Sequence, residues 1–198
     1  MEHLSHVPGD GRRYRPNQMN DMNFTLPEFG TFVYDAEEDE HRSIPISLSI
    51  FNFALKTLVL VGYADDERPD DFIDALQNLR TRGRQTLHEA SAHLNRYWCD
   101  CKSYLEEDEQ FEVSKIDDLW MHIHPGDTVY ISRRSYGDKK IYAQIECSCE
   151  WEREHGLQLV LREGLVISKL GPFDGHLTNS DAYDDPSLET IVYHGRSD

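Results

Sequence analysis

Residues 140–170 read KIYAQIECSCEWEREHGLQLVLREGLVISKL. Ile141, Ala143 and Ile145 alternate with Tyr142, Gln144 and Glu146, the period of two expected of a strand with one face on a core. Further on, 157–161 and 165–170 are apolar runs joined at Glu163-Gly164, which predicts a hairpin. Just upstream, 128–132 pairs naturally with 140–146 around the turn Ser-Tyr-Gly-Asp-Lys-Lys. The second half of the chain therefore reads as a meander of antiparallel strands.

Working outward, 69–105 has a different period. Phe72, Leu76, Leu79, Leu87, Ala90, Leu94, Tyr97, Cys101 and Leu105 fall at three- and four-residue spacings, one apolar stripe of an amphipathic helix. Pro69 suits a first helical position, and Asp70 and Asp71 suit the positive end of the helix dipole. Gly83 marks either a break or a close packing contact. The acidic run Glu106, Glu107, Asp108, Glu109 is unfavourable at a helix C-terminus, so the helix ends before Glu106.

Before the helix, 24–34 reads as a strand with a Pro-Gly break, and 44–53 and 56–63 as two strands joined near Asn52. Between helix and meander, 116–123 is a short helix or strand leading to a turn at Pro125-Gly126-Asp127. Beyond Gly171 the chain is turn-rich and acidic, with a last apolar patch at 191–193. The fold class expected is α+β: a mainly antiparallel sheet with one long helix, whole or broken, packed on it. Residues 1–22 are polar and contain Pro and Gly, and are expected to form a flexible arm. Residues 23–198 are expected to form a single α+β domain.

The net charge is -17, from 37 acidic against 20 basic residues. Nucleic acids and anionic membranes are bound through Lys and Arg, so this balance argues against both. It suits a basic protein partner. The acid is clustered at 35–40, 65–71, 106–109 and 181–189, and each cluster is also what a solvated loop or helix end looks like. The basic turn Arg133, Arg134, Lys139, Lys140 is too small for a nucleic-acid groove on so acidic a body. No apolar run reaches the roughly 18 residues of a membrane span, and the N-terminus lacks the apolar core of a signal peptide. A cytoplasmic location is expected, with the four cysteines as free thiols.

Candidate chemistry is sparse. Cys99 and Cys101 would sit on a helix about 200° apart and cannot easily share one ion. Cys147 and Cys149 point the same way on a strand and could meet His122 and His124, another same-face pair. Zinc sites, however, usually space their cysteines by two to four residues, and no metal or other cofactor is expected. Glu152, Glu154 and His155 could do acid–base work, but the same residues suit a turn between strands, with Gly156 supplying a positive φ. Asp174, Asn179, Asp181, Asp184 and Asp185 are oxygen-rich. Counted from Asp174, His176 and Thr178 stand where a calcium loop needs its third and fifth ligands. Asn179-Ser180-Asp181 reads better as a turn or cap.

Two groups of residues, Cys149-Glu150-Trp151-Glu152 with Glu154-His155-Gly156-Leu157, and Asp174-Gly175-His176-Leu177-Thr178-Asn179, resemble a small bacterial family of unknown function. Its signature is Cys-x-Trp-acidic-x-Glu-His-Gly-Leu, followed by an apolar strand and a glycine turn. The resemblance is sharp over 147–183 and carries no catalytic residues. It implies that Trp151, Glu154, His155, Gly156, Asp174 and Gly175 determine the fold. In character the chain is similar to the small acidic immunity proteins encoded beside bacterial toxins.

The functional expectation is a non-enzymatic inhibitor of the immunity or antitoxin kind, whose acidic surface occludes a basic toxin domain. The expected contact residues are Asp35, Glu37, Glu38, Asp39 and Glu40, with Glu106, Glu107, Asp108 and Glu109, and exposed Tyr or Trp nearby as anchors. The alternative is an acid–base or metal-dependent enzyme centred on Glu154, His155, Asp174 and His176, which requires those side chains to converge in one pocket.

Overall fold

A computed structural model describes residues 23–52, 54–106 and 111–195. The arm expected at 1–22 lies outside the described residues, as do Glu107, Asp108 and Glu109.

The first half supplies β1 (Phe24–Leu26), β2 (Gly30–Asp35), β3 (Glu40–Ser43), β4 (Ile46–Leu48) and β5 (Ala54–Val61). The second supplies β6 (Ile123–Pro125), β7 (Thr128–Arg133), β8 (Ile141–Cys149), β9 (Leu157–Arg162) and β10 (Val166–Gly171). They form one sheet in the order β1-β2-β3-β5-β7-β8-β9-β10, with β4 also pairing β5 and β6 also pairing β8. All pairings are antiparallel except β5 with β7. The two expected hairpins of the second half are present, the later one turning at Glu163 and Gly164.

Two strands are kinked. β3 and β4 pair with successive parts of β5, separated by Ile44-Pro45, where proline cannot donate to a ladder. β6 and β7 pair with successive parts of β8. There the Gly126 amide donates to Glu146 O at 2.8 Å, and a Cβ at Gly126 would meet that same oxygen.

The helix expected from the stripe, whole or broken, is three helices: α1 (Asp70–Thr81), α2 (Gln85–Glu89) and α3 (Ser91–Lys102). The backbone is extended at Arg82, with ψ at 129°, and leaves helical values again at Ala90, with ψ at 1°. Ser49 Oγ donates to Arg82 O at 2.6 Å, satisfying a carbonyl freed by the first break. A Cβ at Gly83 would meet nothing within 4 Å, so this glycine marks a break and not a packing contact. The stripe persists because Phe72, Leu76, Leu79, Leu87, Leu94 and Tyr97 all join the same core.

That core lies between the helices and one face of the sheet. Ile141, Ala143, Ile145, Cys147 and Cys149 all enter it, as strand alternation requires. α1 sits directly on the β9–β10 turn, where Asn78 Nδ2 donates to Glu163 O at 3.0 Å. Gly164, at φ +66°, passes so close to the backbone of Ala75 and Leu79 that no Cβ fits.

The other face is covered at its β8–β10 end by the C-terminal segment, which contains a short helix, α4 (Asn179–Tyr183). Thr178 caps α4, its hydroxyl accepting from the Asp181 amide at 3.0 Å. Asn179 Nδ2 donates to Ile191 O at 2.8 Å, and the Leu170 amide donates to Val192 O at 2.8 Å. The segment therefore closes the β10 edge of the sheet. Among the described residues no helix is long and apolar enough to cross a membrane.

Candidate functional site

Strand β8 ends at Cys149, and the next turn contains most of the signature residues. Trp151 folds into the core, its ring edge-on to Trp98 at 5.4 Å and to Tyr97 at 6.2 Å. Glu152 Oε1 accepts from the amides of Glu154 at 3.1 Å and His155 at 3.2 Å, so one side chain holds the turn. Gly156 has φ +59°, and a Cβ there would stand 2.5 Å from Cys147 O. Its own carbonyl accepts from the buried Tyr97 hydroxyl at 2.8 Å. Glu154 and His155 are exposed.

A second turn lies against the first, with the Phe173 amide donating to His155 O at 3.1 Å. Its organiser is Lys169, whose side chain is only 2% exposed. Lys169 Nζ donates to both carboxylate oxygens of Asp174, at 2.6 and 2.7 Å, and to His176 O at 3.3 Å. Burial pushes the Lys169 amine below its ordinary range, opposed by Asp174. Gln158 completes the turn: its Oε1 accepts from the amides of Asp174 and Gly175, and its Nε2 donates to His176 O at 2.6 Å.

Between the first turn, the end of α3 and the C-terminal segment lies a cleft of about 590 Å³. Its carboxylates are Asp100, Glu150, Glu152 and Glu154. Tyr104 and Tyr183 flank it, 74% and 54% exposed. Tyr193 is buried beside it, donating through its hydroxyl to Asp100 Oδ2 at 2.7 Å. Arg153 and His194 also line it, and Tyr183 meets the His194 ring edge-on at 4.7 Å. The cleft thus brings carboxylates and phenol rings together with Arg153 and His194.

The candidates named from sequence are distributed as follows. Of Glu154, His155, Asp174 and His176, only Glu154 lines the cleft. His155 Nδ1 lies 3.6 Å from Glu152, and His176 Nδ1 lies 3.6 Å from Asp174, which Lys169 already holds. Cys147 and Cys149 are buried, and burial pushes both thiols up to about 12. His122 and His124 form no ion-holding group with them among the described residues. They share the carboxylate of Glu150, at 2.7 and 3.1 Å, and these bonds hold Glu150 below the usual carboxylate range. Among the described residues no three His, Cys, Asp or Glu side chains are grouped to hold an ion. In the oxygen-rich loop, Asp174 is bound to Lys169 and Asp181 to Arg134.

The acidic run 35–40 is the β2–β3 hairpin turn. Glu37 and Glu38 are exposed, Asp39 accepts from the Tyr34 hydroxyl at 3.0 Å, and Glu40 pairs with Arg42 at 2.6 Å. Strand order places β5, β7, β8 and β9 between this hairpin and β10. Glu106 is exposed and follows Tyr104 and Leu105, which line the cleft. The expected basic turn is mostly consumed internally: Arg133 binds Asp66 and Asp71, Arg134 binds Asp181 and Glu189, and Lys140 binds Glu163. Sequence reading missed Asp100, Tyr183 and Tyr193 as parts of one site, since only the C-terminal segment's return to α3 brings them together.

The model of a family described as Domain of unknown function (DUF6985) matches residues 28–177, and the chain belongs to that family. No curated protein and no solved structure matches the chain. The matched region stops at Leu177, so Tyr183, Tyr193 and His194 of the cleft lie beyond it.

Proposed function

We infer that the protein is a non-enzymatic binding module whose acidic cleft receives a basic segment of a protein partner. In its most concrete form it is an immunity- or antitoxin-like inhibitor that occludes a basic toxin domain. The observation that carries this reading is the meeting of exposed Tyr104 and Tyr183 with Asp100 and Glu154 around one cleft. Phenol rings are rigid and amphipathic, and are favoured as anchors in interfaces. Carboxylates beside them favour Lys or Arg over other side chains, and a net charge of -17 steers a basic partner from a distance. Glu106 extends the acidic rim, and the β2–β3 hairpin turn offers a second, separate acidic contact.

The acid–base alternative has less support, because Asp174 is committed to Lys169 and only Glu154 of its four residues lines the cleft. The test is affinity capture of a basic partner at low and high salt, repeated with Glu154→Lys and with Tyr104→Ser. Retention at low salt that weakens with salt, and that both substitutions reduce, is the expected result. A partner held equally by all three proteins, or equally at both salts, overturns the reading.

A further inference from the structure

We propose that a second pocket, between the β4–β5 connection, α2 and β6, binds a small organic monocarboxylate through Lys56 and Arg84. This site is separate from the acidic cleft and does not rest on its reading.

The pocket measures about 240 Å³. That is below the roughly 300 Å³ at which sites for drug-sized ligands begin, so its occupant is small. Its floor is apolar, formed by Cys147 and Leu159 of the core, and Phe51 and Trp120 supply aromatic walls. The Lys and Arg side chains that line it are Lys56 and Arg84, and among its described lining residues there is no carboxylate. In a chain with 37 acidic and 20 basic residues, that inversion of sign marks the pocket out.

Lys56 gives the stronger reason. Its side chain is 4% exposed, yet the nearest carboxylate, Asp127, is 3.9 Å away and fully exposed to water. Nζ donates to Pro125 O at 2.9 Å and stands 5.9 Å from the centre of the Phe51 ring. Among the described residues, then, one hydrogen bond serves an ammonium with three donors. A buried ammonium is costly unless a carboxylate pairs with it. The same fold shows the satisfied arrangement at Lys169, equally buried, where Asp174 presents both oxygens within 2.7 Å. At Lys56 no carboxylate oxygen among the described residues comes closer than Asp127 at 3.9 Å, and a ligand carboxylate seated on the apolar floor would supply the closer pair. Arg84 Nη1 donates to Asn52 Oδ1 at 3.2 Å, and its guanidinium is the second cation lining the pocket. His124 lines the pocket with its ring already engaged by Glu150.

The experiment is calorimetric titration of the full chain with benzoate, benzamide and benzylamine, which share a ring and differ in charge. Benzoate is expected to bind saturably, with the amide and the amine at least about tenfold weaker. Lys56→Met is expected to lose about tenfold or more in benzoate affinity while keeping its melting temperature, since an under-paired buried cation is replaced by an isosteric apolar chain. Arg84→Gln is expected to lose less. Amide shifts on benzoate addition should centre on Leu87, Trp120 and Cys147. The proposal fails if benzoate does not saturate by about 10 mM, if benzamide binds as well, or if affinity survives both substitutions. Shifts centred on Tyr104 and Glu154 would also sink it. If Lys56→Met does not fold, the wild-type comparison and Arg84→Gln decide.

Discussion

Arg134 and Asp181 meet face to face on the back of the sheet, with Nε to Oδ2 and Nη2 to Oδ1 both at 2.8 Å. Glu189 takes the other side of the same guanidinium, at 2.5 and 2.9 Å. Arg134 is 4% exposed, so this fork anchors the whole C-terminal segment to the sheet. Arg134→Met is expected to cost about 2 kcal/mol, less than a fully buried pair because both carboxylates still see water. Urea unfolding gives the energy, and limited proteolysis should show faster cutting after Leu177. An unchanged cutting pattern would mean that other contacts hold the segment.

Gly164 and Gly175 separate two costs of a side chain. Both have positive φ, +66° and +78°, but a Cβ at Gly175 meets nothing within 4 Å, whereas one at Gly164 collides with the α1 backbone. Gly175→Ala is expected to lose about 1 kcal/mol, from backbone strain alone. Gly164→Ala is expected to lose about 3 kcal/mol, since α1 must also move. Equal losses in chemical denaturation would show that the hairpin turn can shift away from α1.

Arg133 hydrogen-bonds Asp66 at 2.7 and 2.9 Å and holds its carboxyl below the ordinary aspartate range, against the opposing effect of partial burial. A depressed folded value means that the unfolded chain takes up the proton first as pH falls. The stabilisation is therefore whole above the ordinary aspartate value, near 4, and is lost as pH drops through the folded value. Asp66→Asn should lower stability at pH 7 and leave a shallower acid dependence than the wild type below about pH 4. Protonation of the many exposed carboxylates is common to both proteins and cancels in the comparison. Parallel curves would refute a special role for this pair.

The thiols should divide sharply in reactivity. Cys99 is exposed and Cys101 half-buried, whereas Cys147 and Cys149 are buried with their thiolates disfavoured. A maleimide time course read by mass spectrometry at neutral pH should label Cys99 first, and Cys147 and Cys149 only on unfolding. Rapid labelling of Cys147 in the native protein would contradict the burial described.

Local pattern carried the meander well, because alternation at Ile141, Ala143 and Ile145 directly reports which face meets the core. The apolar stripe from Phe72 to Tyr97 was equally visible, but its breaks were not sized. A stripe can cross the turns at Arg82 and Ala90 if all three helices face the same sheet. The kink at Ile44-Pro45 and the pairing of β5 with β7 depend on contacts far apart in sequence, which no periodicity encodes. The cluster at 65–71 reads like solvated charge, yet Asp66 and Asp71 hold Arg133. Trp151, Glu152 and Glu154 stood out in sequence. Asp100 and Tyr193, which line the same cleft and bond each other, did not, because one lies on α3 and the other in the turn-rich C-terminal segment.

The one parallel pairing among the described strands has a kinetic meaning. β1 to β5 and β7 to β10 are each stitched by short local connections, whereas the β5–β7 ladder joins residues separated by α1, α2 and α3. Closing so long a loop costs entropy that local hairpins avoid. Each meander can assemble early on its own side, and the ladder from Thr57 to Val61 is expected to close last. By microscopic reversibility the same seam is expected to open first, so the Thr57 amide, which donates to Asp127 O across it, should exchange before amides inside either meander.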